Sequence, residues 1–350
     1  MAGSVTLRDV AREAQVSIGT VSRVLNNHAN VAEDIRLRVL KAATQLGYFA
    51  MGGQENRAPA ANRIIQEIGF LFCSVVPGNS IGSNPFWSQI LHGVESEARL
   101  TNLKVTYRSI GYEQETPETL LSTIYELKLG GILLVGPAEP QVVRLLQSTG
   151  IPLVLIDNYV PGVNAVLGDN FAGARAAVEY LIHMGHRQIA FIGGPFLEEG
   201  HLTNKVYTIE RRSQGYRMAL LDASLPVLDH LYEAADLTKD GGYAACKRLL
   251  ARNNPFSALF CANDEMAVGA MKALREADLR VPEDISLVGF DDIDLAEHLV
   301  PALTTVHVNK EMLGSVAVQR LLFLVGKPDS INLSSVLDLE LVIRNSVRQL

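Results

Sequence analysis

A group of hydroxyl, amide and guanidinium side chains near the amino terminus has the chemistry needed to bind DNA. These side chains lie in the stretch TLRDVAREAQVSIGTVSRVLN (6–26). Hydroxyl and amide groups can hold phosphates, and the guanidinium of Arg23 can pair with both acceptors on a guanine edge. The candidate phosphate ligands are Ser17, Thr20, Ser22 and Asn26. The pattern predicts a helix whose first residues enter the major groove. A capped amphipathic surface helix is the alternative interpretation.

Three short helices are predicted to position this group. Thr6 followed by Asp9 fits a capping box, and Ser17 can cap the second helix after the tight connection at Gln15. The third helix is predicted to stop at Gly47. Apolar residues at helical spacing give the three buried faces: Leu7, Val10, Ala11 and Ala14; Val21, Val24 and Leu25; Ile35, Val39, Ala42 and Leu46.

The rest of the chain has a different pattern. Residues 49–63 contain two glycines and a proline and few large apolar residues, so we predict a linker there. Short apolar runs then alternate with amphipathic helices in two series of similar size, ending with strand 285–290. This alternation predicts an α/β domain of two lobes, each with a parallel sheet covered by helices. Ligands of such folds bind at the carboxyl ends of strands, here expected in the cleft between the lobes.

Several polar and aromatic residues fall at these strand ends or just before a helix. A sugar-like ligand needs forked hydrogen bonds to neighbouring hydroxyls and an apolar plate beneath its ring. Arg212 offers a planar fork of donors, and Asp291 offers a pair of acceptors after strand 285–290. The other candidates are Asn263 after strand 257–261, Asp157 at the end of strand 152–157, and the pair Phe86–Trp87 before a helix.

Each of these residues also has an ordinary structural interpretation. Phe86 or Trp87 can belong to the core, and Asp157 can be a turn residue at a lobe crossover. The acidic run that begins at Asp291 can be a solvated loop. Asp169 is predicted to be a helix N-cap rather than a ligand residue, and His186 a helix-end residue rather than a catalyst.

The amino-terminal stretch resembles the headpiece of the LacI/GalR family of bacterial repressors. The resemblance covers VTLRDVAREAQVSIGTVSRVLNNHANVAEDIRLRVLKAATQLGY, with TVSRVLN and RLRVLKAATQLGY as its most characteristic parts. It implies that Ile18 and Gly19 select bases and that Arg23 contacts a further base. It also implies phosphate contacts by Ser17, Thr20, Ser22 and Asn26, and we add Thr6 and Leu7 at the start of the first helix to the predicted DNA-binding set.

Two departures from the family pattern stand out. Gln15 occupies a turn position where the family usually has glycine. The family linker usually reads Y-x-P-N-x-x-A-R-x-L and forms a helix whose leucine wedges into the minor groove. Here Gly52 and Gly53 disfavour a helix by roughly 1 kcal/mol each, and Arg57 occupies the wedge position. We therefore predict a linker that stays flexible on DNA or contacts the groove electrostatically.

Residues 66–346 resemble the family's effector domain, which has the type I periplasmic-binding-protein fold. The supporting motifs are NPFWSQILHGVE, DNFAG with HMGHRQIAFIGG, RRSQGY, CANDEMAVGAMKAL, LRVPEDISLVGFDD, PALTTV and IRNS. By this resemblance Phe86, Trp87, Asp157, Arg212, Asn263 and Asp291 occupy positions in the effector cleft. The predicted organisation is a headpiece (1–48), a linker (49–65) and a body (66–350). The predicted lobes are 66–158 with 292–320, and 159–291 with 321–346.

Charge and composition are compatible with this interpretation. The net charge of the chain is −7, but residues 1–60 carry two net positive charges and the remainder nine net negative ones. An acidic body reduces indiscriminate binding to DNA. The three cysteines stand singly in apolar stretches, which favours buried thiols over a disulfide framework or a zinc site. The chain shows no apolar run that could cross a bilayer and no signal pattern at its start, so a cytoplasmic protein is expected.

Two other functions were weighed. Residues 78–82 match G-x-S-x-G around Ser80, with Asp291 and His307 following in hydrolase order. Prolines on both sides place this serine in a loop rather than on the required strand-to-helix turn. A transport-type binding protein is the other alternative, but it would have no use for residues 5–48. We therefore expect a repressor, without enzymatic activity, cofactor or metal, that binds a near-palindromic operator as a homodimer and responds to a sugar-like effector.

Overall fold

The computed structural model describes residues 5–25, 30–46, 48, 65–73, 81, 84–110, 117–194, 206–327 and 330–350. Asn26, the stop at Gly47, the linker 49–63 and Ser80 with most of its motif lie outside these residues. Within the described chain, no helix is long and apolar enough to cross a membrane.

Three helices form the amino-terminal region: α1 (Leu7–Glu13), α2 (Ile18–Leu25) and α3 (Glu33–Gln45). Their apolar faces meet in one buried cluster that includes Val10, Val21 and Val39, and Leu121 from the body also belongs to this cluster. The predicted capping box is confirmed, because the Thr6 hydroxyl accepts from the Asp9 amide while the Asp9 carboxylate accepts from the Thr6 amide.

The connection between α1 and α2 depends on one left-handed residue. Gln15 has φ 56°, a conformation that favours glycine. This conformation explains why glycine is usual at this position in the family that the sequence resembles. The Ser17 side chain then caps α2 by accepting from the Thr20 amide at 3.1 Å, as predicted.

The chain folds into two compact units. The first unit comprises Met1–Ile81, Leu91–Val166 and Gly314–Ser334, and the second comprises Gly82–Ile90, Leu167–Leu313 and Ser335–Leu350.

The first unit contains most of the strands of a six-stranded sheet with the order β11-β5-β4-β3-β1-β2. The strands are β1 (Glu67–Cys73), β2 (Lys104–Ile110), β3 (Gly131–Val135), β4 (Leu153–Ile156), β5 (Asn164–Gly168) and β11 (Ser334–Leu337). The neighbours from β2 to β5 pair in parallel. The connecting helices are α4 (Pro85–Leu100), α5 (Pro117–Glu126) and α6 (Pro140–Ser148). Strands β3 and β4 are buried along their whole length, as expected for a sheet covered on both faces.

The second unit contains a four-stranded parallel sheet with the order β7-β6-β8-β9. Its strands are β6 (Ile189–Gly193), β7 (Tyr232–Ala234), β8 (Ala258–Cys261) and β9 (Ser286–Val288), and its helices are α7 (Asn170–His183), α8 (Tyr207–Asp222), α9 (Lys239–Ala251) and α10 (Asp264–Glu276). The predicted α/β alternation with parallel sheets is therefore confirmed.

Further elements follow β9, where the predicted series had stopped: α11 (Leu295–His298), β10 (Thr305–His307), α12 (Lys310–Gly326), β11 and β12 (Glu340–Val342). Strands β10 and β12 pair antiparallel. The β12 segment lies 33 or more residues from β10 along the chain, so local sequence patterns give no indication of this pairing.

The two units differ from the predicted lobe boundaries. Residues 159–166 belong with the first unit, because β5 continues its sheet beside β4. Residues 292–313 belong with the second unit, where Thr305 donates a hydrogen bond to Asp264. Residues 321–334 belong with the first unit, where Leu321 packs against Gly131. The two units therefore divide the chain at other residues than the predicted lobe boundaries at 158, 291 and 320.

Candidate DNA-binding surface and ligand site

The start of α2 forms an exposed edge, which we call the recognition edge and define as Ser17, Ile18, Gly19, Thr20 and Arg23. Three of these residues precede or begin the helix and are exposed, including Ile18, whose exposure of 44% is high for an apolar side chain. Val21 and Val24 are buried on the opposite face. The sequence thus places its apolar residues inward and leaves the polar start of the helix accessible.

Hydrogen bonds hold the polar groups of this edge together. The hydroxyls of Ser17 and Thr20 are 2.9 Å apart. The Arg23 guanidinium lies along the helix toward its first turn, with Nε donating to the Gly19 carbonyl at 3.2 Å. The guanidinium is therefore on the same side as the residues that begin the helix. The positive end of the helix dipole also favours phosphate at this end.

The remaining predicted DNA-binding residues differ in accessibility. Thr6 is exposed and its hydroxyl donates to Asp9 at 2.7 Å, while Leu7 and Ser22 are half-buried. Among the residues that the structure describes, an added Cβ at Gly19 would meet the Ser17 hydroxyl alone, at 3.8 Å, which leaves open space in front of this residue. A base edge or a larger side chain can occupy that space.

In the second unit, a buried arginine brings together residues that are distant in sequence. Arg212, on α8, is 3% exposed. Its Nε donates to the Asn170 side chain at 2.7 Å, and its Nη1 lies 2.5 Å from the Ala262 carbonyl and 2.9 Å from the Asp291 carboxylate. The guanidinium carbon stands 3.7 Å from the centre of the Phe290 ring. Stacking and ion pairing therefore fix the plane of this donor group.

Asp291 is held in an unusual backbone conformation. Its φ is 105°, and the next residue, Asp292, has φ 52°. The Asp291 amide donates to the Val306 carbonyl at 2.9 Å. Burial raises the pKa of Asp291, and the adjacent charges of Arg212 and Lys310 oppose that rise. The Asp291 carboxylate is thus a buried acceptor aimed at the arginine, and the solvated-loop interpretation of this residue is wrong.

A second buried carboxyl, Asp264, interacts with the charge of Asp291, and the sequence analysis missed it. It accepts from the Thr305 hydroxyl at 2.6 Å and from the Ile293 amide at 2.9 Å. Burial, and then the nearby charge of Asp291, raise the pKa of Asp264 to about 8. The available signal was its place directly after Asn263, just past the apolar strand β8, but its partners are 29 and 41 residues away.

Two other missed residues also contact this network. Asn170, in the first turn of α7, accepts from Arg212 and donates to the Gly168 carbonyl at 3.0 Å. Lys310 begins α12 and is 4% exposed. No motif in the sequence distinguishes this lysine from a surface lysine, and only its burial in the folded chain identifies it as unusual.

The other predicted ligand residues have clear structural contacts. Asn263 caps α10 by accepting from the Met266 amide at 2.9 Å, and its side-chain amide donates to the Leu237 carbonyl at 3.0 Å. Asp157, in the first unit, is buried with φ 55°, and its amide donates to Val166 at 3.0 Å. The cap and the turn are therefore real features, and ligand contact by either residue stays a prediction.

The two aromatic residues Phe86 and Trp87 differ in burial. Phe86 is 4% exposed, whereas Trp87 is half-buried, and their rings meet edge to face at 4.8 Å. Gln89, one turn further along α4, donates to the Asp294 side chain at 2.9 Å. The second turn of α4 is thus bonded to the acidic loop that follows Asp291.

The residues predicted to have structural roles behave as follows. Asp169 caps α7 by accepting from the Ala172 amide at 3.0 Å, as predicted. His186 is buried just after α7, with its ring 2.8 Å from the Ser257 hydroxyl and 3.2 Å from the Arg348 carbonyl, and burial lowers its pKa.

The His307 ring lies 2.9 Å from Asp292, not from the Asp291 carboxylate that the hydrolase alternative required. The three cysteines are buried free thiols.

Two family patterns match the chain. The pattern of bacterial regulatory proteins of the lacI family matches residues 6–50, and that of the periplasmic binding protein-like domain matches residues 178–347. The first match includes the recognition edge, and the second includes Arg212, Asn263 and Asp291.

Curated relatives align over nearly the whole chain. The probable HTH-type transcriptional repressor ExuR of Bacillus subtilis is 32% identical, with 99% of each chain covered. The ribose operon repressor of Haemophilus influenzae is 30% identical, also with 99% of each chain covered. The HTH-type transcriptional repressor CytR of Escherichia coli is 32% identical over 99% of this chain and 97% of its own.

Solved structures are also similar to this chain. A complex of the transcriptional regulator CelR with cellobiose has a TM-score of 0.74 and 30% identity, covering 98% of this chain and 99% of that one. The lac repressor dimer bound to operator and the anti-inducer ONPF has a TM-score of 0.69 and 26% identity, covering 99% and 100%. A LacI family regulator from Enterococcus faecium with bound ribose has a TM-score of 0.68 and 25% identity, covering 81% and 100%.

Proposed function

This chain belongs to the lacI family of bacterial regulatory proteins, and we propose that it is a sugar-responsive repressor that binds its operator as a homodimer. The proposed organisation is a DNA-binding headpiece (1–48), a linker (49–65) and an effector-binding body (66–350). Its relatives are named as transcriptional repressors. We assign it no catalytic role, and we place its action on chromosomal DNA in the cytoplasm.

The observation that carries the DNA-binding part is the exposed recognition edge. Ile18 and Gly19 are proposed to select bases, and Arg23 to pair with a guanine. Ser17, Thr20 and Ser22 have hydroxyls at the start of α2, where phosphate oxygens are favoured. Thr6, Leu7 and Asn26 complete the proposed set. A single helix recognises few bases, so two headpieces of a dimer on a near-palindromic operator give the required specificity.

The ligand part is supported by the Arg212–Asp291 pair. Among the described residues, the Arg212 guanidinium makes its hydrogen bonds and its ion pair with Nε and Nη1. We therefore propose that Nη2 donates to a ligand hydroxyl. The Asp291 carboxylate is the proposed acceptor, and Trp87 the apolar plate. Asn263, Asp157 and Phe86 are proposed as further contacts. Neighbouring hydroxyls of a sugar are donors and acceptors at once, so they match this combination.

Ligand and operator are proposed to be thermodynamically coupled. If a sugar lowers operator affinity by some factor, the operator must lower sugar affinity by the same factor. Measuring both affinities therefore distinguishes coupled binding, in which they change by the same factor, from an artefact of the sugar on the DNA-binding assay.

The test has two steps, both on the full-length protein. A selection from random DNA should first yield a near-palindromic operator sequence. Anisotropy titrations of that operator should then change on addition of one member of a panel of neutral sugars, sugar acids and nucleosides that includes cellobiose and D-ribose. Enrichment of no sequence would refute the DNA-binding part. An operator affinity unchanged by every sugar, together with a response to a nucleoside, would refute the sugar assignment.

A further inference from the structure

A buried lysine is bonded to the backbone of the proposed ligand site. Lys310, at the start of α12, is 4% exposed. Its ammonium donates to the main-chain carbonyl of Asp291 at 2.6 Å and to that of Asp292 at 2.9 Å. Both direct partners are neutral oxygens on consecutive residues. A charge is rarely buried unless its interactions require it, so this arrangement calls for a specific role.

The two residues that Lys310 binds have strained backbones. Asp291 and Asp292 both have positive φ, at 105° and 52°, in a region that non-glycine residues seldom adopt. Two such residues in succession persist only where surrounding contacts enforce them, and such strain is found preferentially at functional sites. The ammonium of Lys310 contacts the carbonyls of both.

This strained turn sends the two aspartate side chains to different partners. The Asp291 carboxylate lies 2.9 Å from the Arg212 guanidinium. The Asp292 carboxylate accepts from Arg344 at 2.7 Å and lies 2.9 Å from the His307 ring. A relaxed backbone at these positions would reorient both carboxylates. The conformation of the turn therefore determines whether the acceptor at the ligand site faces its arginine.

Several carboxylates lie near the Lys310 ammonium. Burial lowers the pKa of Lys310, and the carboxylates of Asp291, Asp292, Asp264 and Asp294 oppose that effect. An ion pair would be served by direct contact with a carboxylate oxygen. The observed hydrogen bonds instead go to the main chain, which indicates control of backbone conformation.

We propose that Lys310 is a positioning residue of the ligand site, whose ammonium holds the Asp291–Asp292 turn so that the Asp291 carboxylate faces Arg212. This inference rests on the proposed function insofar as the Arg212–Asp291 pair binds the effector. Lys310 itself does not need to touch the ligand.

Hydrogen–deuterium exchange of the full-length protein tests the proposal without a ligand. The informative amides are those of Asp291, bonded to Val306, and of Ile293, bonded to Asp264. Lys310→Met keeps the aliphatic length and removes the donors. Since hydrogen bonds from a charged group are strong, exchange in the peptide 289–296 should become about tenfold faster or more. Lys310→Gln, which retains two N–H donors on a shorter chain, should give an intermediate rate.

The matched control is Lys239→Met, because the Lys239 ammonium pairs with Glu265 near the surface and is half exposed. It should leave the exchange of peptide 289–296 unchanged. Exchange of β6 and β8 should also stay unchanged in Lys310→Met. Unaltered exchange at 289–296 in that variant would overturn the proposal. Uniformly faster exchange across the second unit would also overturn it, by showing general support of the fold.

A second measurement relates the turn to binding. Calorimetry with each panel sugar that binds the parent should show at least tenfold weaker binding to Lys310→Met, with Lys310→Gln in between. Equal affinity for parent and Lys310→Met would overturn the positioning role. If no sugar binds the parent, the sugar assignment fails, while the exchange experiment still decides the role of Lys310 in the turn.

Discussion

The recognition edge and the Arg212–Asp291 site place their polar groups under opposite conditions. The recognition edge is exposed, and its hydrogen bonds join residues three or four positions apart. The Arg212 site is buried, and its bonds join residues 42 and 50 positions apart. Residues of the edge can therefore change with little effect on folding, whereas residues of the buried site contribute to folding and ligand binding together.

The sharpest test of this contrast is Arg212→Met. The substitution leaves the Asp291 carboxylate and the Asn170 and Ala262 acceptors buried without their donor. Breaking a buried ion pair on one side typically destabilises by about 3–5 kcal/mol, so we expect a loss of that order in the free energy of unfolding. Urea denaturation followed by circular dichroism measures it.

Arg211→Met is the control for this experiment. Arg211 lies on the same helix, where it donates to the Gln214 side chain and stands 5.0 Å from the Phe171 ring centre. Its loss should lower stability by about 1 kcal/mol or less, because exposed polar contacts contribute little. Equal losses for both arginines would remove the distinction between buried and exposed groups on which the comparison depends.

The second prediction concerns pH and the buried carboxyl of Asp264. Its pKa is raised from 3.8 in the unfolded chain to about 8, so the folded state binds a proton that the unfolded state has released. Stability from this group is fully present at low pH and falls as pH rises between about 4 and 8. The slope reaches at most about 1.4 kcal/mol per pH unit.

Asp264→Asn removes that titration. Comparing urea midpoints of variant and parent from pH 5.5 to 8.5 should show the variant gaining stability relative to the parent as pH rises. Asp284→Asn is the control, because the pKa of Asp284 is lowered by its hydrogen bond from Arg280 and it stays charged throughout this range. A constant difference between Asp264→Asn and the parent at every pH would show that Asp264 is already ionised.

The same contrast explains how much the sequence could predict. The capping box of Thr6, the Ser17 cap and the apolar faces of α1–α3 depend on residues within one or two helical turns, and all were predicted correctly. The strands and helices up to β9 were also predicted, because apolar periodicity is local. Asn170, Asp264 and Lys310 were missed, because their roles arise from partners that only the completed fold brings near. The two compact units differ from the predicted lobes for the same reason.

At the recognition edge, Arg23→Ala should affect DNA binding and leave stability unchanged. One bidentate arginine–guanine contact contributes about 1–3 kcal/mol of discrimination, so operator affinity should fall between about fivefold and 150-fold. Preference should relax at one base position per half-site. Anisotropy titrations and a repeated selection from random DNA measure both effects, and thermal unfolding verifies the fold.

Arg12→Ala serves as the matched control for Arg23. The Arg12 guanidinium, on α1, is exposed and pairs with Asp9 at 2.9 Å. Its loss should leave base preference unchanged. If Arg23→Ala retains parental affinity and base preference, the assignment of Arg23 to a base contact is wrong, whatever the effect of Arg12→Ala.

The smallest change expected is in Gly19→Ala, and it separates folding from recognition most cleanly. The added methyl group has open space, with the Ser17 hydroxyl at 3.8 Å as its near neighbour, and alanine favours a helix over glycine by up to about 1 kcal/mol. The melting temperature should therefore stay level or rise slightly. Base preference should nevertheless shift at the position that this residue faces, because the methyl group fills space at the DNA surface. A higher melting temperature with the parental operator sequence would show that Gly19 faces solvent instead of a base.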